Sequence, residues 1–165
     1  MKYLLLLRHA KSSWKQPCLT DHERPLNKRG KHDAPRMGDL LSREDLIPDL
    51  IISSSAERAL MTAEAAAQSS GFVGDLVVDR SLYHGGTMDF ISALNEVSDQ
   101  VERVMMVGHN PGMEELLVDL VGSYERMVTA SLAHIALPVE SWGRLDESIQ
   151  GKLLNLWRPK DLAVG

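Results

Sequence analysis

Two arginines and two histidines of this 165-residue chain directly follow short apolar runs. Arg8 and His9 follow the first run, Arg58 closes the Ser53–Arg58 segment after the second, and His109 follows a later run. A guanidinium fork matches phosphate oxygens two at a time, and a neutral imidazole can attack phosphorus to form a covalent intermediate. The four residues therefore predict a site for phosphoryl transfer, where catalysis is mainly positioning and electrostatic stabilisation.

The elements that must position these residues are short apolar runs alternating with longer helical patterns. Continuous apolar runs suit strands that are covered on both faces. The predicted strands are Tyr3–Leu7, Leu50–Ile52, Leu76–Val78, Val104–Val107, Leu132–Leu137 and Leu153–Trp157. We expect an α/β fold, a three-layer α/β/α sandwich with a mostly parallel central sheet of about six strands. A single domain over residues 1–165 is expected from the length, with the site beyond the carboxyl ends of the strands.

Local signals predict where the helices begin. Ser54–Glu57 has the pattern of a capping box, and Thr87 is a candidate cap for the next helix. Asn110–Pro111 predicts a helix with Asn as the cap and Pro at the first helical position. Residues 27–41 are predicted to be helical, with Pro35 either kinking the helix or delaying its start.

Four segments occur in a fixed order along the chain and carry a family resemblance. They are Leu7–Ser12 with its Arg-His-Ala triplet, Asp21–Gly30 with Arg-Pro-Leu, Ser53–Ala63, and Val107–Gly112 with the second histidine. Together they resemble the motifs of the histidine phosphatase superfamily, also called phosphoglycerate mutase-like. The resemblance is closest to the SixA-type phosphohistidine phosphatases.

That resemblance implies a role for each of the four residues. His9 would be the nucleophile, and Arg8, Arg58 and His109 would form the phosphate pocket. The resemblance implies no metal and no organic cofactor. The substrate would be phosphohistidine in a protein, with a small phosphorylated molecule such as a sugar phosphate as the alternative.

Five further residues are candidates for substrate binding. Ser12 belongs to the first motif, Asp21 to the second, and Asn110 adjoins the second histidine. Lys15 stands where the mutase branch has Asn, and it could meet phosphate as a point charge. His84 lies in the region where many superfamily members place a proton donor.

Composition sets the broad class of the protein. The net charge of −5 argues against a nucleic-acid partner, which usually selects a basic face, but a local basic cluster can still oppose it. No run approaches the ~18 apolar residues of a membrane span, and the first apolar run is too short for a signal peptide. We therefore expect a cytoplasmic protein with no membrane partner. The sequence does not indicate the oligomeric state.

Other classes of protein fit the residues less well. Cys18 and Arg24 have the spacing of a cysteine phosphatase, but Asp21 and Glu23 between them would repel a phosphate dianion. A non-catalytic phosphate-binding module on the same fold remains an alternative, since fold does not imply function.

The remaining histidines do not predict a metal site. His22, His32, His84 and His134 lack a ligand-pair spacing such as HExxH. His22 and His32 are expected to be solvated, and His134 to lie in a strand.

Overall fold

A six-stranded sheet organises the chain, whose computed structural model describes residues 1–162. The strands are β1 Lys2–Arg8, β2 Leu50–Ser53, β3 Asp75–Val78, β4 Arg103–Gly108, β5 Leu132–Leu137 and β6 Lys152–Trp157. The helices are α1 Lys28–Arg43, α2 Glu57–Ser70, α3 Thr87–Asn95 and α4 Gly112–Val121. All six predicted strands are confirmed, and no observed strand end differs from its predicted position by more than one residue.

The sheet has the order β3-β2-β4-β1-β5-β6. The first four strands in this order are parallel, while β5 is antiparallel to both β1 and β6. The mostly parallel sheet expected from the sequence is therefore confirmed. The carboxyl ends of β1, β2 and β4 consequently meet at one edge, which is where parallel sheets place their ligands.

The central strand β1 is buried on both faces of the sheet. Leu4 and Leu6 pack into a core that includes side chains of α3 and α4, whereas Leu5 and Leu7 pack into a second core with side chains of α1 and α2. Burial of one leucine contributes roughly 1.5–3 kcal/mol relative to leaving it exposed. The continuous apolar run of β1 thus has its physical reason, and the predicted three-layer sandwich is confirmed.

The predicted helix caps were wrong at α2 and α3. Helix α2 begins after Ala56 with no side-chain cap, because the Ser54 hydroxyl lies against His109 and only weakly accepts the Ala56 N–H at 3.3 Å. Thr87 is already inside α3, whose cap is Gly86. The Thr87 hydroxyl instead donates to Asp119 at 2.5 Å. In both cases a tertiary partner takes the hydroxyl that local sequence had assigned to the backbone.

The predicted cap of α4 and the effect of Pro35 also need correction. Asn110 does not cap α4. Its side-chain amide donates to the carbonyl oxygen of Met127, and Pro111, joined to it by a cis peptide bond, takes the cap position. Helix α1 begins at Lys28 and runs through Pro35, so the proline does not delay its start. The Asn27 side chain accepts the Gly30 N–H at 2.9 Å and so caps the start of α1.

Among residues 1–162, no helix has both the length and the apolar character to cross a bilayer.

Candidate active site

The register of three strands brings the predicted residues to one place. Arg8, the last residue of β1, lies opposite Gly108, the last residue of β4. Ser53, at the end of β2, lies opposite Val107 of β4. The His9 amide then donates to the Gly108 carbonyl at 3.0 Å. The segments that follow β1, β2 and β4 therefore begin side by side.

These segments enclose an open cavity of about 260 Å³. Its lining residues are Arg8, His9, Lys11, Ser12, Trp14, Arg24, Arg58, His84, His109, Asn110 and Thr129. Three arginines, one lysine and three histidines face this volume, and no carboxylate of the described chain does so. Such a lining is suited to an anion with several oxygens, because each guanidinium offers a rigid fork of donors.

One ring nitrogen of His9 forms a hydrogen bond with the backbone. Its Nδ1 lies 2.8 Å from the carbonyl oxygen of Ala10, and since a carbonyl only accepts, Nδ1 must carry the proton. Burial, and secondarily the charges of nearby arginines, lowers the pKa of His9 to about 4. The ring is therefore neutral at physiological pH, and the lone pair of Nε2 is free to act as a nucleophile.

His109 lies beside it, with the two ring centroids 5.1 Å apart. The Nε2 atom of His109 is 2.7 Å from the Ser54 hydroxyl, and burial lowers the pKa of His109 to about 3. A serine hydroxyl has one proton and two lone pairs, so the Ser54 oxygen can accept from Ala56 and still either donate to or accept from Nε2 of His109. The other ring nitrogen, Nδ1, is buried with no partner among the described residues.

Arg58 is fixed by Asp21. Its two terminal nitrogens donate to the carbonyl oxygen of Asp21 at 2.7 Å and to Oδ2 at 3.1 Å. The Tyr83 hydroxyl donates to the same Oδ2 at 2.6 Å. That hydrogen bond, followed by those from Arg24 and Arg58, holds the pKa of Asp21 well below its usual range. Asp21 is thus an ionised carboxylate that orients arginines and has no proton to donate.

Arg24 is a third arginine of the cavity, and it is nearly buried. It donates to Asp21 Oδ1 at 2.7 Å, to the Ser13 carbonyl at 3.1 Å and to the Ser12 hydroxyl. The Trp14 ring covers its guanidinium at 3.2 Å from the ring centroid, while Trp14 itself stays 74% exposed at the rim. Stacking and ion pairing together fix one orientation of the guanidinium.

Arg8 approaches the cavity from the opposite side. Its Nη1 donates to the Met127 carbonyl at 3.1 Å, and the side-chain amide of Asn110 donates to the same oxygen at 2.8 Å. The Met127 amide is in turn held by the Glu114 carboxylate at 2.7 Å. Nε of Arg8 is buried with no partner among the described residues.

Thr62 connects two of the catalytic candidates. Its hydroxyl accepts the Ala10 N–H at 3.0 Å and donates to the Arg58 carbonyl at 2.7 Å. The segment that carries His9 is thereby fixed to the first turn of α2, which carries Arg58.

The weaker substrate-binding candidates fall into three groups. Ser12, His84 and Asn110 line the cavity. Asp21 contacts the arginines rather than lining the cavity. Lys15 lines a separate neighbouring groove.

Neighbouring residues from Ser12 to Lys15 line different depressions. Ser12 and Trp14 line the cavity, whereas Ser13 and Lys15 line the groove. Lys15 is therefore separated from the cationic groups that line the cavity.

His84 has an uncommon backbone conformation. Its φ is 59°, in the left-handed region that few residues other than glycine adopt, and its ring lies 4.0 Å from the Tyr83 ring centroid. The conformation turns the two neighbouring side chains towards the site, where His84 lines the cavity and Tyr83 contacts Asp21.

The sequence-based predictions missed Lys11, Trp14 and Thr129, which line the cavity, and four residues that support the site. Arg24, Ser54, Thr62 and Tyr83 make the contacts described above. Arg24, Ser54 and Thr62 lie inside the motif segments, so their presence there was the available signal. Tyr83 lies next to the predicted His84 and carried no signal of its own.

The alternative sites are not formed in the described residues. Cys18 is exposed and does not line the cavity, while Arg24 is engaged elsewhere. No cluster of His, Cys, Asp or Glu within residues 1–162 could hold a metal ion. His22 is half-buried with its Nε2 at 2.9 Å from the Ser55 hydroxyl, so its predicted solvation is wrong, whereas His32 is exposed as expected.

Fold and cavity together define an α/β/α protein with a cationic, histidine-containing cavity at the carboxyl edge of its sheet. A sequence profile of the histidine phosphatase superfamily (branch 1) matches residues 4–83. An uncharacterized chloroplastic protein of Arabidopsis thaliana is 36% identical over 148 residues, covering 84% of this chain and 68% of the relative. The chain belongs to the histidine phosphatase superfamily.

Solved structures share the architecture of this chain. A putative phosphohistidine phosphatase SixA from Agrobacterium tumefaciens is 28% identical with a TM-score of 0.82, covering 96% of this chain and 98% of that one. A mycobacterial glucosyl-3-phosphoglycerate phosphatase shares the fold at 18% identity and a TM-score of 0.70, covering 93% and 97%. Membership of the histidine phosphatase superfamily makes the chain a phosphatase, and its architecture is SixA-like.

Proposed function

We propose that this protein removes phosphoryl groups from phosphohistidine in proteins, through a covalent phosphohistidine intermediate on His9. The observation that carries the proposal is the His9 ring itself. Its Nδ1 is engaged by the Ala10 carbonyl, and it lies in a cavity lined by three arginines and no described carboxylate. We further propose that residues 1–165 act as one domain and that the protein works in the cytoplasm.

The first step forms a bond between Nε2 of His9 and phosphorus. The substrate ring is protonated at its other nitrogen, so when the bond from phosphorus to the substrate nitrogen breaks, the electron pair stays on that nitrogen and neutral imidazole leaves into the open cavity. Arg8, Arg24 and Arg58 would bind the three phosphoryl oxygens whose charge must be stabilised. The presence of all three guanidinium groups in the cavity lining supports this assignment.

The second step returns the enzyme to its starting state. Water attacks phosphorus, the bond to Nε2 of His9 breaks, and its electron pair returns to the ring. Inorganic phosphate leaves with the oxygen of that water, and the surplus proton passes to solvent.

The leaving group favours phosphohistidine over alkyl phosphates. The conjugate acid of an imidazole leaving group has a reference pKa of ~6.5. The conjugate acid of an alkoxide has a pKa closer to that of water, about 15.7, so an alkoxide needs a well-placed acid to leave. Asp21 is ionised by its hydrogen bonds, and no carboxyl group of the described residues lines the cavity. A site with this lining suits a leaving group that needs little protonation.

Access to the cavity supports a protein-borne substrate. The cavity opens to solvent, and the exposed Trp14 stands at its rim. A phosphorylated side chain on the surface of another protein could therefore reach His9.

A small-molecule phosphomonoesterase is the second candidate. The carboxylate of Glu115 lines a depression that shares His84, His109 and Asn110 with the cavity. Once protonated, Glu115 would supply the acid that an alkyl phosphate needs.

One substrate panel separates the two functions. The measurement is kcat/KM for a phosphohistidine protein, p-nitrophenyl phosphate and a sugar phosphate on one preparation, with wild type and Glu115→Gln. We expect the order phosphohistidine, aryl phosphate, sugar phosphate, with little effect of the substitution. If the sugar phosphate is best and Glu115→Gln abolishes its turnover, the small-molecule function replaces the one proposed.

A further inference from the structure

A basic groove of about 460 Å³ lies beside the cavity and takes no part in the chemistry proposed above. Its lining includes Lys15, Lys28 and Lys31, and the half-buried Pro25 supplies apolar surface. Within residues 1–162 no carboxylate lines it, although the chain has 23 acidic and 18 basic residues. The charge of the basic groove is therefore opposite to that of the whole protein.

The basic groove and the cavity share one wall. Ser12 pairs with Leu26 in an isolated β-bridge, and the Ser13 amide donates to the Pro25 carbonyl at 2.8 Å. Ser12 lines the cavity and Ser13 lines the basic groove. A polypeptide with one residue in the cavity can therefore continue into the basic groove over this wall.

Two lysines lie at the start of α1, where the partial positive charge of the helix N-terminus is unfavourable for cations. Lys28 is the first residue of the helix and Lys31 lies in its first turn, which contains no acidic residue. A helix N-terminus has a partial positive charge and favours anions. Lys15, Lys28 and Lys31 are exposed, and none forms an ion pair within residues 1–162. An anionic partner would stabilise all of these charges together.

We propose that the basic groove docks an acidic segment of the phosphorylated partner protein. The proposal deepens the function given above, since it rests on the cavity being the substrate site and adds what flanks the phosphorylated residue. Lysine ammonium groups would pair with Asp and Glu of the segment, while Pro25 contacts its aliphatic carbons. A single groove with apolar lining on a protein of net charge −5 fits one polypeptide segment better than the extended backbone of a nucleic acid.

Binding of an unphosphorylated peptide tests the docking separately from catalysis. The probe is a short Asp/Glu-rich peptide with a fluorescent label, compared with the same peptide carrying Asn and Gln instead. The variant is Lys28→Glu with Lys31→Glu, and the control is Arg144→Glu with Lys152→Glu, an equal change of charge at exposed positions outside the basic groove. Thermal unfolding checks the fold, which acidic residues at the start of α1 should preserve.

We expect the acidic peptide to bind wild type and the control, and to bind the groove variant at least about tenfold more weakly, a difference of about 1.4 kcal/mol. The difference should shrink in high salt. The ratio of kcat/KM for an acidic phosphoprotein to that for phosphoramidate should fall by a similar factor in the groove variant only.

Three results would overturn the docking proposal. They are equal binding of the acidic and neutral peptides, equal losses in the groove and control variants, or tighter binding of duplex DNA or anionic vesicles than of the peptide. None of these depends on whether the phosphoryl group is lost from histidine. A failure of the proposed function would instead appear in the substrate panel, with peptide binding unchanged.

Discussion

Asp21 holds Arg58 through two different groups, its backbone carbonyl at 2.7 Å and its carboxylate at 3.1 Å. The other carboxylate oxygen receives Arg24 at 2.7 Å. One residue of a short turn after β1 therefore orients two arginines of the cavity, one of them from α2. The carboxylate lies outside the cavity lining, so Asp21 is a positioning residue.

Asp21→Asn should lower kcat/KM by about 10- to 100-fold, since a misdirected donor in such a site costs up to 10²–10³ in rate. The Kd for inorganic phosphate should rise in parallel, which a purely structural change elsewhere would not cause. Glu23→Gln is the matched control, because Glu23 is an exposed carboxylate of the same turn that contacts only Thr20. If both variants behave like wild type, Asp21 does not position the arginines.

Arg8→Lys and Arg58→Lys should each reduce kcat/KM by roughly 10²–10³. Lysine keeps the charge but loses the planar fork that meets two oxygens. Arg29→Lys is the control, since Arg29 is exposed and contacts Asp33 on α1. Losses of only two- or three-fold at both cavity positions would mean that these arginines do not bind the phosphoryl group.

The strands and the four central residues could be predicted because their signals are local. Continuous apolar runs such as Leu4–Leu7 are needed wherever a strand is covered on both faces, and Arg8, His9, Arg58 and His109 follow such runs. The buried state of Arg24 could not be predicted. It depends on Asp21, Ser12 and Trp14 folding around one guanidinium.

The sequence also could not predict the orientation of Lys15 or the hydrogen-bond partners of the hydroxyl groups at the helix starts. Whether a side chain at this point faces the cavity or the groove depends on the bridge between Ser12 and Leu26, which joins positions distant in sequence. Ser54 satisfies the local pattern of a cap, yet His109 comes within 2.7 Å of its hydroxyl. Tertiary contacts outweigh local patterns at both sites.

Stability should fall as the pH is lowered from about 6.5 to about 4. Burial lowers the pKa of His9 to about 4 and that of His109 to about 3, while in the unfolded chain both titrate near ~6.5. The unfolded state then binds more protons in this range, so the stability present above pH ~6.5 is lost as pH falls through the folded pKa values. The loss should be on the order of 2 kcal/mol per histidine by pH ~5.

Denaturant unfolding of wild type, His9→Asn and His109→Asn at several pH values measures this effect. Each substitution should flatten the pH dependence of the free energy of unfolding. His32→Asn, at an exposed position on α1, should not. A wild-type profile that is flat between pH 4 and 7 would contradict the buried, neutral state of the two rings.

The central claim is that the phosphoryl group passes through Nε2 of His9. The most direct measurement is rapid acid-free quenching of the enzyme with a labelled phosphoryl donor, followed by peptide mapping and NMR of the phosphorylated ring. We predict label on Nε2 of His9 in wild type, no label and no turnover in a folded His9→Ala variant, and label retained in His32→Ala. Near-normal turnover by His9→Ala, or label on His109 instead, would contradict the account.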